Sequence, residues 1–183
     1  MEALMEGLLS NVDWTEIGLA SWDTLVMVGL SLLFSVLIGL PVGVMLFLFG
    51  KRQLLEQPAA YAVLSFVVNV LRSVPFIILL IVMIPFTVML IGTSLGVAGA
   101  IPPLVAGGAP FFARLVETSL REVDRGIIEA TQAMGANVRQ IVFGALLPEA
   151  LPGLIAGITV TAITLVSYAA MSGVIGGGGL GDL

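Results

Sequence analysis

From Thr24 to Phe49 the chain carries no charged residue. That run exceeds the ~20 apolar residues a helix needs to cross the ~30 Å hydrocarbon core of a bilayer. Hydrocarbon leaves every backbone polar group to be satisfied within the protein, so the run reads as an α-helical span. Acids rather than basic residues precede it, and no small-residue cleavage site follows, so we expect an uncleaved span and not a signal peptide. Gly39-Leu-Pro41-Val-Gly43 offers a small-xxx-small face for close helix packing, with a proline expected to kink the helix.

Residues 59–91 are apolar except for Asn69-Val-Leu-Arg72-Ser-Val-Pro75. A straight helix of that length would rise about 50 Å, more than the hydrocarbon core. The segment is therefore one tilted, broken span or a re-entrant pair. Charge decides between them. Lys and Arg fall at 51, 52, 72, 114, 121, 125 and 139. Basic loops stay in the cytoplasm, and 51–52 and 121–139 share that side only if 59–91 crosses once. A third span is expected from about Val97 to Glu117, interrupted by Pro102-Pro103, Gly107-Gly108 and Pro110. A fourth is expected over about Ala150–Ser172.

The expected fold is all-α, a polytopic membrane helix bundle with about four spans present. Residues 1–23 form an acidic lead outside the membrane, with Glu2, Glu6, Asp13, Glu16 and Asp23, and residues 24–183 form the transmembrane domain. The mean hydropathy of +1.14 and a charged fraction of 10% agree with this.

Much chemistry is missing. With neither His nor Cys, the chain lacks the commonest general base, the commonest metal ligand and any thiolate. No acid cluster lies inside a span, so neither a metal site nor a membrane-embedded enzyme is expected. A self-sufficient secondary transporter would want ionisable groups or inverted repeats at mid-membrane. Only Arg72 and Arg114 are candidates, and no repeat is visible. The net charge of −5 does not suggest nucleic acid. A phosphate-cradling loop needs Gly-Lys followed by Ser or Thr, whereas Gly50-Lys51 is followed by Arg52. The chain is expected to hold no ATP and no cofactor of its own. The glycines from Gly176 to Gly181 are expected to form a flexible link or a tight turn.

Residues 118–149 form a polar insert between the last two spans. It reads as two short helices. In the first, from about Gly126 to Met134, Ile127, Ala130, Ala133 and Met134 share a face. Gly135-Ala136-Asn137 breaks it: glycine suits a left-handed C-terminal position, and Asn137 caps the next helix. That helix, to about Leu147, carries Val138, Ile141, Val142, Ala145 and Leu146 on one face. Such an insert is either an amphipathic hairpin on the membrane surface or a knob for a groove on a cytosolic partner.

Glu129-Ala130-Thr131, three residues, Gly135, then Leu147-Pro148 resembles the EAA signature of ABC-importer permeases, with Thr131 and Ala145 departing mildly from it. Ile38–Gly43, Asn69–Leu80, Ile84–Thr87, Ala113–Glu117, Leu146–Gly153 and Gly178–Asp182 are similar to the methionine-importer branch. The resemblance implies the type I importer permease fold. It implies a homodimer in the bacterial inner membrane, two cytoplasmic ATPase subunits that carry the ATP and Mg, and a periplasmic or lipid-anchored binding protein. The insert becomes the coupling segment, with Glu129, Ala130, Met134, Gly135, Ala136, Val138, Leu147 and Pro148 as its residues and Glu129 capping or pairing at the helix start. Relatives usually carry a fifth span after the glycine-rich segment, while this sequence stops at Leu183. A permease for another amino acid or small organic substrate is the alternative.

Thr161, Thr164, Ser167, Tyr168 and Met171 form a polar-plus-Met stripe on the fourth span, read as a translocation face. Gly153 and Gly157 on the same span read as a close-packing face. Arg72, beside Pro75, reads as a structural charge at the helix break. Arg114, Glu117 and Arg121, at i, i+3 and i+7, are expected to pair with one another.

Overall fold

The computed structural model describes residues 13–183, and every regular element among them is helical. Helix α1 spans Trp14–Phe49. Asp13 caps it, its carboxylate accepting from the backbone N–H of Thr15 and Glu16. The helix therefore begins well before Thr24, and residues 14–23 of the acidic lead are its first turns. Glu2 and Glu6 lie outside the described residues. Pro41 falls inside the helix, which runs unbroken past it.

Helices α2 (Pro58–Ser73) and α3 (Phe76–Ile91) meet at an angle of 108°. Pro75 is the cause. Its ring disfavours helical geometry at the preceding residue, and Val74 is extended, with φ −78° and ψ 126°. The next helix, α4 (Gly96–Arg121), shows which way the broken pair travels. Tyr61 meets Glu117, Asn69 meets Arg114, Arg72 lies over Phe111, and Phe76 and Leu79 flank Gly107. Thr87 reaches the level of Gly99 and Pro103. The partners descend α4 in order, so the pair advances in one direction as a single broken span. Among the described residues, three further helices are long and apolar enough to cross a membrane: α1, α4, and α8 at Leu151–Gly173.

Small residues bring α1 against α4. Ser31, Ser35, Gly39 and Gly43 recur every fourth position on the buried face of α1. A Cβ on Gly43 would come within 2.5 Å of the Ala113 carbonyl oxygen, and one on Gly39 within 2.7 Å of that of Ala109. Gly153 and Gly157 do the same for α8, facing Ser119, and Leu115 with Phe112, respectively. Two buried clusters result. One joins Met27, Leu80, Leu104 and Leu165, and the other joins Phe47, Phe112, Val116, Leu120 and Leu146. Large apolar side chains such as Leu33, Val63, Phe66, Val82 and Ile163 stay exposed, as a hydrocarbon solvent allows.

The glycine-rich end is a tight turn and not a loose link. The Gly96 N–H donates to the Gly176 oxygen at 2.8 Å, and the Leu180 N–H to Thr24 Oγ1 at 2.9 Å. This seats a 3-10 turn, Gly179–Gly181, against α1.

Candidate functional site

The polar insert starts later than its composition suggests, because α4 continues to Arg121. Helix α5 spans Arg125–Ala133 and α6 spans Val138–Ile141. A π-helical turn, Val142–Leu146, leads into α7, Leu147–Glu149. Pro148 accounts for the wide turn. It has no N–H for the Gly144 carbonyl and its ring crowds that oxygen. The Leu147 N–H reaches back to the Val142 oxygen instead.

The break between α5 and α6 has the expected chemistry. Gly135 has φ +82°, a left-handed conformation that residues with a Cβ rarely adopt. Asn137 and Gln140 form a reciprocal capping box at 3.0 and 2.9 Å. Ile128, Ile141, Val142 and Leu146 are buried against Phe47, Leu120 and Val123, and these four fasten the insert to the bundle. Val138, Ala136 and Leu147 pack partly against the same cluster.

The outer side is free among the described residues. Glu129, Ala130, Ala133, Met134, Gly135, Phe143 and Pro148 are exposed, Met134 to 78% and Phe143 to 71%. The apolar face expected for the first helix therefore divides. Ile127 turns partly inward beside Ile128, while Ala130, Ala133 and Met134 face out.

Glu129 differs from expectation. Asp124 caps α5, accepting from the Gly126 N–H at 2.6 Å, and Glu129 lies a full turn further along. It lines a cleft of about 240 Å³ with Arg52, Gln53, Arg125, Ile128 and Gln132. Arg125 Nη2 donates to the Arg52 carbonyl oxygen at 3.0 Å, tying α5 to the α1–α2 loop. Arg52 is held at φ +61°, and its own N–H donates to Glu56 Oε2 at 3.0 Å. Strained backbone of this kind persists where its surroundings over-determine it.

Above this surface lies a polar cluster larger than the expected pairing. Glu117 is 3% exposed and accepts from Arg114, from Arg121 Nη2 at 2.7 Å, and from the Tyr61 hydroxyl at 3.2 Å. Arg114 also donates to Ser65 and, at 3.0 Å, to Asn69 Oδ1. The cluster locks α2 to α4. Tyr61, Ser65 and Asn69 were not legible as members, since they lie far from Glu117 in the chain.

The expected translocation stripe does not stay together. Thr161 is fully buried and its hydroxyl donates to the Gly157 oxygen at 2.7 Å, so it packs the core. Tyr168 stacks on Phe76 with ring centroids 4.2 Å apart. Thr164 is half-buried, while Ser167 and Met171 are exposed. Arg72 sits at the helix break as expected. Its guanidinium lies 5.8 Å from the Phe111 ring centroid, and no carboxylate among the described residues pairs with it.

Known proteins are similar to this chain in sequence and fold. The family model for the binding-protein-dependent transport system inner membrane component matches residues 35–183. The D-methionine transport system permease protein MetI of Salmonella typhi is 55% identical over 152 residues, which is 83% of this chain and 70% of that protein. The methionine import system permease protein MetP of Bacillus subtilis is 51% identical over 180 residues, 98% of this chain and 81% of that protein. A solved inward-facing structure of the MetNI methionine ABC transporter superposes with a TM-score of 0.90 at 51% identity. That match covers 91% of this chain and 77% of the other.

Proposed function

Because the chain belongs to the family of binding-protein-dependent transport system inner membrane components, we propose that it is the permease subunit of an ATP-driven methionine importer. Two copies form the path across a bacterial inner membrane, with the N-terminus outside. Each copy rests on one cytoplasmic ATPase subunit, and a periplasmic or lipid-anchored binding protein delivers the amino acid. The chain catalyses no reaction. ATP and Mg bind the partner ATPase, and this chain holds no cofactor. Names of relatives that share half of its residues support the substrate.

The observation that carries the reading is the two-sided insert. Its inner side is anchored by Ile128, Ile141, Val142 and Leu146, and its outer side offers Ala130, Met134 and Gly135. A segment built this way is a helix-in-groove ligand with a rigid mount. Force applied to it from the cytoplasm passes through α6 and α7 to α8, and through Arg125 and Arg52 to the α1–α2 loop. Alternating access needs such a link, since the ATP chemistry takes place on another chain.

The test is ATP-dependent uptake of labelled L-methionine into proteoliposomes holding this chain, its ATPase and its binding protein. Uptake blocked by unlabelled methionine and close analogues, but not by other amino acids, is expected. An assembled complex that takes up a different amino acid instead would overturn the substrate. Failure of the ATPase to co-purify would overturn the role of the insert.

A further inference from the structure

Two arginines, Arg72 on α2 and Arg114 on α4, sit along the α2–α4 contact within apolar segments, and the structure treats them differently. Arg114 is neutralised by Glu117 and further held by Ser65 and Asn69. Arg72 has only the Phe111 ring. It is exposed in the last turn of α2, where the helix C-terminus favours a cation but no carboxylate holds it. Its guanidinium is open to an anionic partner, and none of the described residues supplies one.

The surroundings define that partner. Arg72 borders a cavity of about 210 Å³, lined also by Val74, Phe76, Gly107, Phe111 and Tyr168. Drug-sized sites run from about 300 to 1,000 Å³, so this one suits a small solute. A Cβ on Gly107 would lie 3.3 Å from the Tyr168 ring, so glycine keeps the wall open. The α2–α3 break opens beside it. Helix α3 begins at Phe76 with no side-chain cap; the Ile78 and Leu79 amides donate to the Pro75 oxygen, leaving those of Phe76 and Ile77 as donors. Helix α2 ends at Ser73, and its last carbonyls point the other way along the chain. One break therefore presents a positive helix end, a negative helix end and a guanidinium beside two aromatic rings.

We propose that this cavity is a transient binding site for the transported amino acid, with Arg72 clamping its α-carboxylate. The helix ends complement the zwitterion. The Phe111 ring and the stacked Phe76–Tyr168 pair offer edges to an apolar side chain, and a thioether sulfur is well suited to such edges. Guanidinium matches a carboxylate in a two-bond fork that an ammonium does not reproduce. Arg72 is thereby a substrate-contacting residue and not only a structural one. The inference rests on the import reading above.

Photo-methionine, a diazirine analogue of methionine, tests it. Proteoliposomes containing the complete transporter are irradiated during turnover, and labelled peptides are mapped by mass spectrometry. Label is expected at residues 71–79, 107–111 and 168, competed away by methionine. Labelling should fall at least tenfold in Arg72→Gln and recover only in part in Arg72→Lys. Wild-type protein that imports methionine yet carries its label elsewhere in the chain would overturn the site, whatever the variants do. Label at the site that is equal in Arg72→Gln would overturn the carboxylate clamp. Wild-type protein that fails to import methionine would overturn the import reading first, and this site with it.

Discussion

Gly43 and Ala113 bring their backbones together: a Cβ on the glycine would lie 2.5 Å from the alanine carbonyl oxygen and also 2.5 Å from Val116 Cβ. Neither neighbour is the far end of a flexible side chain, so the helices must separate to admit a methyl group. Gly43→Ala is expected to destabilise the bundle by about 1–3 kcal/mol, the usual cost of overpacking. Gly29 offers the control, since a Cβ added there would meet nothing within 4 Å. Gly29→Ala should be neutral or stabilising through helix propensity. Thermal unfolding of both variants in detergent checks the contrast, and equal loss in both would show that close approach is not what demands glycine at position 43.

Glu117 is the hub of the α2–α4 contact. Glu117→Gln leaves Arg114 and Arg121 facing each other in a partly buried setting without their carboxylate. Breaking a buried ion pair from one side costs about 3–5 kcal/mol. Tyr61→Phe removes one hydrogen bond and should cost about 0.5–1.5 kcal/mol. Denaturation of the purified protein ranks the two, and a larger effect from Tyr61→Phe would show that the cluster is held elsewhere.

The outer face of the insert should be separable from its mount. Met134→Glu changes a side chain that is 78% exposed, so folding stability should stay within about 0.5 kcal/mol of wild type. Co-purification with the ATPase is expected to weaken at least tenfold. Ile141→Ala removes a buried anchor and should instead cost about 2–5 kcal/mol of stability. Pull-down and unfolding assays on both variants would contradict this division if they moved in parallel.

Gly135→Pro and Glu129→Lys should leave the chain inserted but uncoupled from ATP hydrolysis. Proline fixes φ near −65°, against the observed +82° at Gly135. Glu129→Lys puts a third cation into the cleft formed with Arg52 and Arg125. Uptake driven by ATP is the readout, and full-rate transport by both variants would remove the coupling role from this segment.

Met171→Ala is expected to alter transport while the ATPase stays docked. Met171 is exposed on α8, whereas Thr161 on the same helix is sealed inside. Thr161→Val should therefore act on stability and not on substrate passage. Uptake and co-purification measured side by side distinguish these two roles.

Local signals carried far in this chain. The start of α4, the boundaries of α8, the Pro75 break, the Gly135–Asn137 junction and the glycine faces all follow from residue type and spacing within a few turns. What stayed hidden depends on contacts between distant segments. Tyr61 and Ser65 look like ordinary span residues until α2 is laid against α4, where they meet Glu117 and Arg114. Thr161 fits a polar stripe by spacing alone, and only the position of α8 in the bundle turns it inward. Glu129 gave way to Asp124 as the cap because α5 begins at Arg125, and helix starts are poorly determined when several acids compete for one position. The π turn depends on how the backbone relieves Pro148, a choice that periodicity does not encode.

That π turn sets the phase of the connection. Val142–Leu146 closes its hydrogen bonds one residue wider than an α turn. The surplus residue offsets the faces on its two sides by the angle of a single residue, about 100°, from the register of an uninterrupted α-helix. The insert and α8 therefore meet across a hydrogen-bonded joint with their helical faces out of register, so the side the insert shows outward is set by that one surplus residue.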